Sequence, residues 1–273
     1  MTFSTAATRH PRPPAVAGMF YPGDPAVLAR DVDDALAAAR PVAGPAPKAL
    51  IAPHAGYVYS GPVAANAYAA LEPVRDTIRR VVLLGPCHRV AVRGLALPSA
   101  DAFDTPLGRV PVDRTAVAAL AGLPQVVVSG AAHAQEHSLE VQLPFLQRVL
   151  RDFSIVPLAV GDAAADEVAE VLDRLWGGPE TLILVSSDLS HYHRYDDAVQ
   201  IDRATADAIL ALDPALDHEQ ACGATPIAGL LIVARRRGLA PELLDLRNSG
   251  DTAGDRRRVV GYAAFVFRDE APA

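Results

Sequence analysis

The sequence predicts an α/β domain with a largely parallel central sheet flanked by helices. Three observations predict it. Apolar, β-prone runs alternate with helix-spaced stretches along most of the chain. The composition, 51% hydrophobic and 21% charged over 273 residues, supplies a core and is unlike disorder. Three of the apolar runs end abruptly in tight loops that carry histidine: Lys48 to His54, Arg80 to His88, and Thr181 through Asp188 to His191 and His193. In open α/β sheets, ligands bind in the crevice beyond the carboxyl ends of the strands. Three such loops at one edge would bring their imidazoles together, as a metal site or an acid/base site.

Each element has its own signal. Residues 1–16 are polar and Pro-rich and read as a loose N-terminal arm, with a single domain over 17–270. The stretch 31–39 reads as a helix, closed by the Pro-rich linker 41–47. After the His54 loop, Gly61 to Leu71 reads as an Ala-rich helix. Short extended runs on either side of Thr105-Pro-Leu-Gly108 predict a β-hairpin, followed by a helix over Arg114–Ala121 and a strand over Gln125–Ser129. Leu139, Leu143, Leu146 and Leu150 recur at helical spacing. Phe153–Val160 and Thr181–Ser186 read as strands around an amphipathic helix, Asp166–Trp176. Helices over Tyr195–Leu212 and Thr225–Arg237, the second with Pro226 in its first turn, precede closing strands at Leu243–Leu246 and Val259–Phe267.

Bulk properties exclude several classes. A net charge of −7 argues against nucleic-acid binding, which usually needs a basic face. No apolar run approaches the roughly 20 residues of a membrane span. Two cysteines, Cys87 and Cys222, make no disulfide framework, and the first residues lack a signal-like apolar segment, so the expected compartment is cytoplasmic. No nucleophile elbow surrounds Ser60, Ser138 or Ser249, and Lys48, the only lysine, follows no phosphate-binding loop.

The chemistry-bearing residues fall in six places. His54 and His88 leave strand ends, either toward a shared site or as caps bonded to backbone. Asp188 and His191 are three apart, which in a helical turn places them on one side, where the carboxylate orients the imidazole or binds metal itself. His193 then points elsewhere, and Ser186 and Ser187 read as helix caps. His133, Glu136, His137 and Glu140 form a fourth cluster, read either as His137 and Glu140 sharing a face toward the pocket or, for Glu136, as a solvated charge at a helix start. It is not an H-E-x-x-H zinc motif, because the glutamate adjoins the second histidine. Asn248 to Asp255, with Asp251, forms a loop on the same rim. Cys222 precedes a helix, as an activated thiol or a buried inert one.

These loops together resemble one family. Pro53-His-Ala-Gly-Tyr57, Leu84-Gly-Pro-Cys-His88, Glu136-His-Ser-Leu-Glu140-Val-Gln-Leu-Pro144, Ser186-Ser-Asp-Leu-Ser-His191 and Cys222-Gly-Ala-Thr-Pro-Ile227 occur in the order seen in the Memo family, whose prokaryotic members are called AmmeMemoRadiSam system protein B. The stretch 14–22 and the closing Val260-Gly-Tyr-Ala-Ala also fit. The resemblance implies a single α/β domain similar to class III extradiol dioxygenases, which use non-haem iron(II). It implies His54 and His88 as metal ligands, His191 as acid/base or a further ligand, and Asp188 as its neighbour. His137, Glu140, Cys222 and Asp251 are the further residues expected around the cofactor. That cofactor is a divalent metal, iron first, with copper or zinc as alternatives. Animal members are associated with copper or iron and with signalling partners, and supply a cysteine from the last loop; here that position falls at Thr252, so the cysteine is expected to be absent and Asp251 to offer a carboxylate instead.

Three functions follow as expectations. The first is a metalloenzyme of dioxygenase-like chemistry. The second is a non-catalytic module gripping a peptide or small molecule in the same pocket. The third is a metal-assisted hydrolase. The prokaryotic family name adds a pathway link to a radical-SAM protein.

Overall fold

The computed structural model describes residues 10–40 and 44–269. The strands are β1 (Ala49–Ala52), β2 (Arg80–Pro86), β3 (Leu95–Leu97), β4 (Ala102–Thr105), β5 (Gly108–Pro111), β6 (Val126–Val128), β7 (Ser154–Val160), β8 (Thr181–Ser186), β9 (His191–His193), β10 (Leu239–Asn248) and β11 (Val259–Asp269). The α-helices are α1 (Pro25–Ala38), α2 (Tyr57–Ala69), α3 (Arg114–Ala118), α4 (Gly130–Ala134), α5 (Leu143–Val149), α6 (Ala165–Leu175), α7 (Tyr195–Leu210), α8 (Ala224–Arg237) and α9 (Ser249–Thr252).

One large sheet runs β10-β11-β1-β8-β2-β7-β3-β6, with β9 attached to the start of β11. Its centre, β1-β8-β2-β7, is parallel throughout. These four strands are buried on both faces, which is why they read as unbroken apolar runs. In β8, Leu182 and Leu184 enter one core layer with α1, α2 and α5, while Ile183 and Val185 enter the other with α6 and α8. The predicted fold class is therefore the observed one, and β4 and β5 form the expected hairpin.

Several boundaries differ from the sequence reading for local reasons. Helix α1 begins at Pro25 because Asp24 caps it, accepting from the amides of Ala26 and Val27 at 2.9 Å. Helix α2 begins at Tyr57, so Pro62 lies inside it instead of opening it. The run after Ser138 starts as a 3-10 turn over Glu140–Gln142 before α5. Asp188 to His191 is no helical turn: the chain runs through residues 187–190 without helix and enters β9, which pairs with β11. Helical spacing therefore does not bring Asp188 and His191 together, although both line one cleft.

The predicted loose arm is tied down over its described part. Residues 1–9 and linker positions 41–43 lie outside the described residues. Arg12 is buried and donates to Glu140 Oε2 and the His133 carbonyl at 2.5 Å and to the Glu136 carbonyl at 2.6 Å. Glu140 is itself fully buried and also accepts from the amides of Ala15 and Val16 and from the Tyr21 hydroxyl. Removing one partner of a buried pair strands the other charge. Glu140→Gln should thus destabilise the fold by about 3–5 kcal/mol, read from urea unfolding. A loss within about 0.5 kcal/mol would show that the segment is not anchored there.

Candidate metal centre

The parallel strands end side by side: Ala52 is opposite Ser186, and Pro86 opposite Val160. The chain leaving β1 reaches His54 two residues on, and the chain leaving β2 reaches His88 two residues on. Their ring centroids are 5.3 Å apart, and His137 completes a triangle at 5.4 Å from His54 and 4.6 Å from His88. The convergence predicted from the loops is present for His54 and His88. His137 joins them from the loop after α4.

Hydrogen bonds fix which nitrogen each ring offers. The Ser186 hydroxyl gives its one proton to the Ser138 carbonyl at 2.6 Å and accepts from Gln142 Nε2 at 2.7 Å. Its 2.8 Å contact with His54 Nδ1 must then be accepted from an Nδ1–H. His88 Nδ1 stands 2.9 Å from Glu136 Oε1, and a carboxylate oxygen only accepts, so this ring too carries its proton on Nδ1. Both rings are left with a free lone pair on Nε2, the form a metal requires.

Glu136 is an orienting carboxylate. Its oxygens already accept from the amides of His88, His137 and Ser138 as well as from His88 Nδ1. Burial pushes its carboxyl up, but the bond and charge of His88 and the amide donors outweigh that and hold it down at about 2. Burial, reinforced by neighbouring His88, drives His54 down to about 3. Burial, reinforced by His54, drives His137 to about 4. The His54 and His137 rings are therefore neutral at physiological pH.

Cys222 brings a sulfur to the same point. Cys222 Sγ lies 3.4 Å from His54 Nε2, and one ligand atom from each of His54, His88 and Cys222 falls within 4.8 Å of the others. Nitrogen and sulfur bound to one tetrahedral ion at about 2.0 and 2.3 Å stand roughly 3.5 Å apart, so the spacing suits a shared ion. Cys222 is positioned by Asp188, whose amide donates to the sulfur at 3.3 Å. Burial, with Asp188 nearby, pushes the thiol up to about 12, so a bound cation is what would make it a thiolate. Asp188 also receives the His54 amide on Oδ1 at 2.7 Å and holds Oδ2 3.9 Å from His54 Nε2.

Comparisons with known proteins identify the family of the chain. The pattern of the family described as Memo-like protein matches residues 12–266. A MEMO1 family protein of Methanopyrus kandleri is 39% identical, covering 94% of this chain and 99% of its own length. Relatives of the same name from Archaeoglobus fulgidus and Aquifex aeolicus are 38% and 36% identical over similar shares. The chain belongs to the Memo family. A crystal structure of an uncharacterized protein from Escherichia coli K12 shares the fold at 16% identity, with a TM-score of 0.50 over 79% of this chain and 98% of that one.

Within this Memo-family fold, other sequence expectations need correcting. Glu140 does not face the pocket with His137; it is consumed by Arg12, Tyr21 and two amides, as described above. Asp251 is turned away, accepting from the Tyr195 hydroxyl at 2.6 Å and from the Asn248 amide at 3.1 Å. The thiol thought lost at Thr252 is supplied by Cys222, on the loop before α8. His191 lines the cleft beside the centre but is outside the ligand groups found among the described residues. Ser186 is not a helix cap, since no helix follows before Tyr195. Sequence reasoning missed Ser186 and the saturation of Glu136; the one available signal was their position at a strand end and beside His137.

The loop bearing Asp188 and His191 is held from behind by Asp202 on α7, which accepts from the Ser190 amide at 3.0 Å. Burial drives this carboxyl up to about 6, against the pull of that amide, the Ser190 hydroxyl and His193. Its contribution is thus full below the unfolded value of 3.8 and is lost as pH rises through about 6. Asp202→Asn should be more stable than the wild type by on the order of 2–3 kcal/mol near pH 8 and equal to it near pH 4, by urea unfolding across that range. An equal difference at both ends would remove Asp202 from the pH dependence.

Proposed function

We propose that this chain is a metal-dependent protein acting on a small molecule, with a transition metal held by His54 Nε2, His88 Nε2 and Cys222 Sγ. The observation that supports it is the pair of Nδ1-protonated rings with free Nε2 lone pairs beside one sulfur. The residues fit such an ion: a soft thiolate with two imidazoles favours copper(I), zinc or iron(II) over magnesium or calcium. Iron was the first expectation on the assumption of a carboxylate third ligand. Sulfur in that position broadens the choice toward copper and zinc. When bound, such a metal supplies Lewis acidity and, for iron or copper, one-electron redox chemistry.

The remaining groups give the centre its working surroundings. Glu136 and Ser186 lock the ligand rings. Asp188, buried and pushed upward by that burial, and the half-buried His191 face the cleft, where they can hold or accept a proton from a bound molecule. Phe20, packed 4.7 Å from the His137 ring, limits water on one side.

Anaerobic purification followed by elemental analysis tests the reading. Wild-type protein loaded with iron(II), copper(I) or zinc should retain close to one ion per chain, and His54→Ala/His88→Ala should retain almost none. Glu136→Gln, which loses the charge behind His88, should weaken affinity by about 10–100-fold. Cys222→Ser should reduce copper and zinc retention more than iron. Equal metal in the wild type and the double variant would sink the proposal.

A further inference from the structure

The cleft beside the metal centre has a chemical character that metal binding alone does not use. Its volume is about 670 Å³, within the roughly 300–1,000 Å³ of small-molecule sites. Phe20, Tyr59, Tyr192 and Tyr262 line it with aromatic surface, and Arg257 and Arg258 stand at its edge.

Two observations single out Tyr192 and Arg258. Tyr192 has φ of +63°. It is the extra residue of a bulge, since His191 and His193 on β9 pair with the consecutive Val260 and Val259 on β11. A side chain in that left-handed region carries a steric cost that glycine would avoid. Core packing does not offset the cost, because the residue is 63% exposed. The bulge therefore holds a tyrosine out at the cleft where the backbone alone would favour glycine.

Arg258 lies with its guanidinium 5.1 Å from the centre of the Tyr192 ring. Its neighbours are engaged: Arg257 pairs with Asp255 at 2.9 Å, and Arg256 with Asp251 at 3.8 Å. Among the described residues Arg258 makes no ion pair. Of the cleft's two carboxylates, Asp255 is thus matched by Arg257, and Asp188 lies buried beside His54. The exposed cation without a carboxylate partner, braced on an aromatic face, is Arg258.

We propose that the cleft binds a small organic anion, with its carboxylate or phosphate on Arg258 and its apolar body against Tyr192, Phe20 and Tyr262. This deepens the metal reading by naming the class of molecule brought to the centre, but binding at Arg258 requires no metal. Guanidinium–oxyanion bonds are strong and directional, and the aromatic walls supply the apolar share of affinity.

Titration calorimetry with benzoate, phenyl phosphate, benzyl alcohol and inorganic phosphate tests it, on metal-loaded and chelator-treated protein. At least one aryl anion should bind about tenfold or more tightly than benzyl alcohol and inorganic phosphate, and whichever binds identifies the head group. Arg258→Gln should cost that anion about tenfold, whereas Arg257→Gln, already answered by Asp255, should cost less than about threefold. Tyr192→Gly should weaken binding while leaving the unfolding midpoint unchanged or higher, a split that a merely structural tyrosine would not produce. The proposal is overturned if benzyl alcohol or inorganic phosphate binds as well as the aryl anions, if Arg258→Gln is silent, or if no probe binds below about 10 mM. Metal content of each sample separates the two readings. Anion binding through Arg258 in protein that retains no metal even after loading would fail the metal reading alone, and metal retention without anion binding would fail this one alone.

Discussion

Two hydrogen bonds on Nδ1, from His54 to Ser186 and from His88 to Glu136, set what the rest of the centre can do. A neutral imidazole offers one lone pair, and the partner of one nitrogen decides where it points. Without Ser186 and Glu136 either ring could turn its proton inward, and the point beside Cys222 would face an N–H. Both partners are themselves constrained. Ser186 has only one proton, spent on Ser138, and Glu136 is surrounded by amides from its own loop and from His88. The tautomers thus follow from buried groups that have no alternative bonding arrangement. Leaving any one of them unsatisfied would cost about 1–3 kcal/mol.

The sheet makes those partners available. Because β1, β8, β2 and β7 are parallel and end together, residues just past their ends come from remote parts of the chain yet meet within hydrogen-bond reach. His54 reaches Ser186 and Asp188 across 132 and 134 positions, and His88 reaches Glu136 across 48. A buried strand end also exposes backbone amides that need acceptors. Asp188 and Glu136 answer that need at the amides of His54, His88, His137 and Ser138. Structural satisfaction and ligand orientation are therefore one network, and loss of its carboxylates would disturb both.

Much of the fold was legible in the sequence, because parallel strands buried on both faces leave an unambiguous apolar signature and because His54 and His88 follow such runs directly. What escaped the reading depended on contacts between distant segments. Glu140 sits one helical step from His137 in sequence, yet the 3-10 start of its segment and the waiting Arg12 turn it to the opposite side. Cys222 precedes a helix, a place where buried and reactive cysteines look alike; only its approach to His54 distinguishes them. Asp188 and His191 were brought to the cleft by a strand and a bulge and not by the helical turn their spacing suggested. Spacing reports on local geometry, whereas this centre is assembled from register across the sheet.

The buried Glu140 shows how a residue away from the metal donors still belongs to the site. Its bonds to Arg12, Ala15, Val16 and Tyr21 fix both ends of the segment that carries Phe20. Within that segment Gly18 adopts φ of +80°, and its amide closes a turn onto the Tyr21 carbonyl at 2.7 Å. Phe20 is thereby set against the His137 ring, and its carbonyl accepts from the Tyr57 amide at 2.7 Å where α2 begins. The N-terminal segment is thus a wall of the cleft and a brace for the helix that follows the His54 loop. A perturbation at Glu140 would reach the imidazoles through Phe20, by moving the aromatic surface that shields His137 and shapes the space in front of the metal donors.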